Sequence, residues 1–116
     1  MKTCCLCWPT NLRELCAELQ AVDQFGVDTE ADSFYSYREK VCLIQISVGA
    51  IDYLVDPFAD MSLAPLGEVF ANPAITKIFH DGEFDLTILN REFDMVFANL
   101  FDTRVAAAAL GMSSPG

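Results

Sequence analysis

A chain of 116 residues has room for one domain, and size scaling lets it bury roughly two-thirds of its unfolded surface, enough for a real core. With 53% hydrophobic and 21% charged residues it stands apart from disordered chains, and no apolar run approaches membrane-spanning length. Seventeen acidic against seven basic residues leave a net charge of −10, which argues against a passive, high-affinity nucleic-acid binder, because phosphate binding draws on Lys and Arg clusters. It argues less strongly against a metal-dependent enzyme that touches only a strand end, since bound cations reverse the local sign of a carboxylate cluster.

The amino end, Met1 to Pro9, has one lysine and an apolar patch too short for a signal peptide, so a cytoplasmic protein is the expectation. Five cysteines are an odd count, and Cys42 falls inside an expected buried strand, so a disulfide framework is not expected. Cys4-x-x-Cys7 has the spacing of half a zinc site, but no second pair follows and His80 is the only histidine, so the segment reads as irregular chain. Leu12, Leu15, Cys16 and Leu19 recur at helical spacing behind Asn11 as N-cap, with Glu14 three residues on, which predicts a short amphipathic helix.

Strands are expected at Phe25–Glu30, Val41–Val48 and Ile51–Val55, with Gly49-Ala50 turning the chain and Asp56-Pro57 stopping it. Three strands in such close succession suggest an antiparallel meander. The pattern then alternates: a helix over Ser62–Ala71 ending at Asn72-Pro73, a strand over Ile75–His80, a helix over Glu83–Arg91 and a short strand over Val96–Phe101. Asp102 is placed to cap a last helix closed by Gly111. A meander followed by αβα units implies an α/β mixed sheet with helices on its faces. The last helix, through Val105 and the alanines to Leu110, is apolar nearly all round and calls for protein on every side, so residues 1–116 are expected to be one domain, incomplete at the carboxyl end.

The chemistry is concentrated in two acidic groups. Gln24 to Glu30 feeds an apolar run into two carboxylates held two residues apart, and strand alternation puts Asp28 and Glu30 on one face, a grip for a divalent cation. The second group, His80-Asp81-Gly82-Glu83-Phe84-Asp85, follows the fourth strand. Helix-dipole stabilisation alone accounts for acids in a first turn. If the fourth strand runs parallel beside the first, however, its carboxyl end brings Asp85 to Asp28 and Glu30, where open α/β sheets place their sites.

The runs Asp28-Thr29-Glu30-Ala31-Asp32-Ser33, Val41 to Ser47, Val55-Asp56-Pro57, Phe79-His80 with Asp85 following, and Leu100-Phe101-Asp102-Thr103 resemble the ribonuclease D family of DEDD exonucleases over about residues 24 to 112. The resemblance implies a ribonuclease H-like fold with a mixed five-stranded sheet, and removal of nucleotides from the 3′ end of single-stranded RNA, or less often DNA, by two divalent ions, Mg²⁺ or Mn²⁺. It implies Asp28, Glu30 and Asp85 as catalytic and metal-holding carboxylates, and Thr29 and His80 as substrate contacts. The family's third motif, a Tyr or His followed four residues later by Asp, lies in relatives beyond the Ala-rich helix, so this chain is expected to lack it; the alternative is a catalytically inactive module for nucleic-acid or protein interaction. Asp81, where many relatives carry Asn or a small residue, is a mild departure. Asp102 is read as a helix cap, and Tyr35, Tyr37 and Arg38 as a loop able to stack on a terminal base.

Overall fold

The computed structural model describes residues 2–4, 9–32, 40–57 and 62–111. Its elements in chain order are β1 (Lys2–Cys4), α1 (Pro9–Gln20), β2 (Gln24–Asp32), β3 (Lys40–Val48), β4 (Ile51–Val55), α2 (Ala64–Ala71), β5 (Thr76–Phe79), α3 (Glu83–Phe93), β6 (Leu100–Asp102) and α4 (Thr103–Ala109). The strands make one mixed sheet in the order β1-β4-β3-β2-β5-β6. β2, β3 and β4 form the antiparallel meander, and β5 joins β2 in parallel with Gln24 opposite Thr76 and Gly26 opposite Ile78. β6 extends the parallel half beside β5.

The five expected strands are present, with the expected meander, and a sixth adds to them. β1 pairs in parallel with β4, Lys2 opposite Ile51, so the amino-terminal segment read as irregular is partly an edge strand. Its apolar pattern is too short to reveal a partner that lies about fifty residues downstream. α1 begins at Pro9, so Asn11 lies inside the helix rather than capping it; a proline fits the first helical turn, where its missing N–H costs nothing. The strand expected over 96–101 is shorter and lies later, at Leu100–Asp102. Tyr35, Tyr37 and Arg38 lie outside the described residues, as do Cys5 and Cys7.

Alternation along the pleat builds the core on one face of the sheet. Phe25 and Val27 of β2, Ile44 and Ile46 of β3, Val55 of β4 and Phe79 of β5 are buried against Leu12, Leu15, Cys16 and Leu19 of α1, Leu66, Val69 and Phe70 of α2, and Ile88 and Leu89 of α3. Phe70 is the hub, with ring centroids 6.1 Å from Phe25 and 5.0 Å from Phe97. Burial, then the charge of Glu68, pushes the Cys16 thiol up to about 11, so this cysteine behaves as a small hydrophobe.

Lys77 is the exception on the buried face. It is fully buried, and its ammonium donates to the carbonyl oxygens of Asn72 (2.5 Å) and Ala98 (3.0 Å). These bonds tie β5 to the chain entering it and to the chain leading into β6, while desolvation lowers the Lys77 pKa. Opposite the core, the other pleat carries Gly26, Asp28 and Glu30, of which the two carboxylates are exposed.

Candidate functional site

Asp28, Thr29 and Glu30 sit on the carboxyl-terminal half of β2, beyond the stretch that pairs with β5. The ladder to β3 slips between Glu30 and Ala31: Glu30 faces Leu43 but Ala31 faces Val41, leaving Cys42 as the extra residue. Such a bulge bends β3, the strand that carries the extra residue, and raises the local twist of the pair just past the second carboxylate. Asp28 Oδ1 accepts from the Thr29 N–H at 2.9 Å, which fixes its rotation beside the strand.

Thr29, on the opposite pleat from the two acids, donates its hydroxyl to Asp85 Oδ1. This bond joins the first turn of α3 to β2. Asp85 stands in the first turn of α3, where the helix dipole favours a carboxylate, yet its pKa is raised. Burial is the main cause, followed by the charges of Asp28, Asp81 and Glu30, against which the Thr29 hydrogen bond acts in the opposite direction. Asp85 therefore feels the charges of Asp28 and Glu30, but it is joined to β2 through Thr29 and not directly to either of them. Among the described residues no group of three or more His, Cys, Asp or Glu stands close enough to hold a metal ion.

The donor chemistry nonetheless suits a hard divalent cation: oxygen ligands that repel one another, with no ion pair to Asp28, Glu30 or Asp85 among the described residues. Asp28 also lines a cleft of about 400 Å³ with Gly26, Ser47, His80 and Thr103. His80 is exposed there, its Nδ1 2.7 Å from Thr103 Oγ1, while the Thr103 hydroxyl donates to the carbonyl of Phe79 at 3.2 Å. A hydroxyl has one hydrogen, so His80 Nδ1–H is the donor to Thr103, and Nε2 is the nitrogen left for another partner.

Sequence reasoning missed the network behind the β5–α3 turn. Asp81 takes a left-handed φ of 55°, a conformation Asp tolerates better than most residues, and its carboxylate pairs with Arg104 at 2.8 Å. The Asp102 side chain caps α4, as expected, but also accepts from the backbone N–H groups of Asp81 and Gly82. Burial raises the Asp102 carboxyl, and donation from Gly82, Asp81, Val105 and Arg104 outweighs it, leaving Asp102 below the ordinary carboxylate range. The only hint in the sequence is the Asp-Thr pair itself, which a cap explains without any distant partner.

A family model described as 3′-5′ exonuclease matches residues 8–115. The chain is 43% identical over 102 residues to ribonuclease D of Acidiphilium cryptum, covering 86% of this chain and 26% of that protein. It is 38% identical over 104 residues to the exosome complex exonuclease RRP6 of Saccharomyces cerevisiae, covering 89% of this chain and 14% of that one. In three dimensions it resembles the crystal structure of Escherichia coli RNase D, described as an exoribonuclease involved in structured RNA processing, with a TM-score of 0.88 and 29% identity over 97% of this chain and 30% of that chain. The chain thus spans less than a third of each of these proteins.

Proposed function

The chain belongs to the ribonuclease D family of 3′-5′ exonucleases, and from that premise we propose that it removes nucleotides from the 3′ end of single-stranded RNA, with DNA a lesser substrate. The observation that carries the proposal is the meeting of Asp85 with β2 through Thr29, within reach of the charges of Asp28 and Glu30. In this reading residues 1–116 are one incomplete domain, and further site groups lie in additional chain. Its location is proposed as cytoplasmic. Among the described residues no helix is long and apolar enough to cross a membrane.

Asp28, Glu30 and Asp85 would hold two divalent ions, Mg²⁺ or Mn²⁺, whose chemistry when bound is to activate water and to stabilise the negative charge that develops as the phosphodiester breaks. The chain's own residues orient the parts. Thr29 holds the Asp85 carboxylate with its hydroxyl hydrogen and keeps the oxygen lone pairs as acceptors for the substrate. His80, its ring set by Thr103, offers Nε2 to the RNA within the cleft it shares with Asp28. A second reading, an inactive exonuclease-fold module, is favoured by the lack of a gathered three-ligand group among the described residues.

Mn²⁺-dependent release of nucleotides from the 3′ end of single-stranded RNA tests the proposal, with this chain and a longer version compared. Asp28→Asn abolishes release in the active version while leaving its melting profile nearly unchanged. Unchanged turnover would sink the assignment, and silence in both folded versions would select the inactive module.

A further inference from the structure

Asp102 makes more bonds than a helix cap requires. Oδ1 accepts from Arg104 N at 2.9 Å and Val105 N at 3.3 Å, which completes the cap of α4. The same carboxylate accepts from Asp81 N at 2.9 Å through Oδ1 and from Gly82 N at 2.8 Å through Oδ2. Capping α4 uses only Oδ1. Oδ2 serves a different turn, the one that opens α3, where Gly82 is the N-cap and Asp85 follows three residues later.

The neighbours of Asp102 hold the same turn. Thr103 donates to the carbonyl of Phe79 and receives His80, and Arg104 pairs with Asp81. Residues 102–104 thus grip residues 79–82 from the adjacent strand end. The grip has a load to resist: Asp28, Asp81 and Glu30 all repel Asp85, while the Thr29 hydroxyl bond draws it toward β2. A helix whose start is loose would relieve that repulsion by moving outward.

We propose that Asp102 is a positioning residue which, through the backbone of Asp81 and Gly82, sets where α3 begins and so keeps the Asp85 carboxylate at Thr29. Its consequence for metal rests on the exonuclease reading above; its consequence for geometry does not.

Asp102→Asn separates the two duties of the side chain. Its amide oxygen can still cap α4 and accept from Asp81, but its NH₂ group meets the Gly82 N–H, donor against donor. Asp102→Ser is the second variant, keeping a hydroxyl cap for α4 and little reach to Gly82. The readouts are the Thr29–Asp85 contact, followed by NMR between the Thr29 methyl and the Asp85 side chain without metal, and Mn²⁺ affinity by calorimetry for wild type, both Asp102 variants and Asp85→Asn. Thermal melts confirm that each variant is folded.

The expected result is loss of the Thr29–Asp85 contact in both Asp102 variants, with Mn²⁺ binding about tenfold weaker. A contact that persists at wild-type strength in folded Asp102→Asn and Asp102→Ser overturns the proposal. If wild type binds no Mn²⁺, or Asp85→Asn binds it equally well, the metal reading fails, and the NMR contact alone still decides whether Asp102 positions α3.

Discussion

Asp85 illustrates how a single residue can be costly to the fold that carries it. Its folded pKa is raised, so between the unfolded value of 3.8 and the folded one the native state retains a proton that the unfolded chain releases. Stability therefore falls as pH rises through that window, and at neutral pH the ionised group is half-buried among like charges. Asp85→Asn removes the charge and keeps an acceptor for the Thr29 hydroxyl. Its melting temperature in chelator is expected to exceed that of wild type at pH 7, and the gap to close as pH falls through that window to 3.8. Added Mn²⁺ is expected to stabilise wild type and not the variant; a variant that melts lower in chelator would mean that the lost hydrogen bond outweighs the relieved repulsion. At this scale the sequence was informative about identity and blind to linkage. Asp28 and Glu30 are legible because strand alternation needs no tertiary information, whereas the Thr29 hydroxyl between them shows its partner only once α3 is in place.

Among the elements, α3 shows which boundaries can be read in a sequence and which cannot. Its start at Glu83 follows from the glycine and the acidic first turn, but the need for Gly82 is tertiary: a Cβ there would lie 2.5 Å from Cβ of Phe79 and 2.7 Å from its ring. Gly82 has φ −86° and ψ 2°, a negative-φ region open to residues other than glycine, so the cost of Gly82→Ala is chiefly steric. The clash involves the buried stem of Phe79, so the substitution is expected to cost about 1–3 kcal/mol in denaturant unfolding. A wild-type midpoint would show that the turn has room to open. The meander was legible because β3 and β4 are joined by two residues, with Gly49 at φ 59° supplying the left-handed turn. β1 was not, since a three-residue strand carries too little pattern to announce a parallel partner. The α1 start was misplaced by three residues, because Asn11 suits a cap by type, but Pro9 suits the first turn by φ.

For the molecule as a whole, the charge of −10 and the placement of the site work against each other until cations arrive. Self-repulsion of this size destabilises a compact state and is screened within about 8–10 Å at 0.1–0.15 M salt. Raising NaCl from 10 to 150 mM is expected to raise the melting temperature, and millimolar Mg²⁺ to add a further increment that Asp28→Asn reduces. A melting temperature indifferent to both would show that the acids are too dispersed to matter. Half-exposed or exposed apolar side chains also gather toward β6 and α4, where Phe101 is 49% and Val105 66% exposed. The sequence anticipated an apolar last helix, and the described residues leave it without a buried position.

The order of the sheet bears on handling the protein as well as on its chemistry. β1 occupies one edge, and β2, which carries Asp28 and Glu30, lies three strands away, about 14 Å at the usual strand spacing. An affinity handle or surface linker joined ahead of Lys2 would leave the protein from the rim opposite β5 and β6. Immobilising it by that end would keep the support three strands away from Asp28 and Glu30 and leave both carboxylates open to solution.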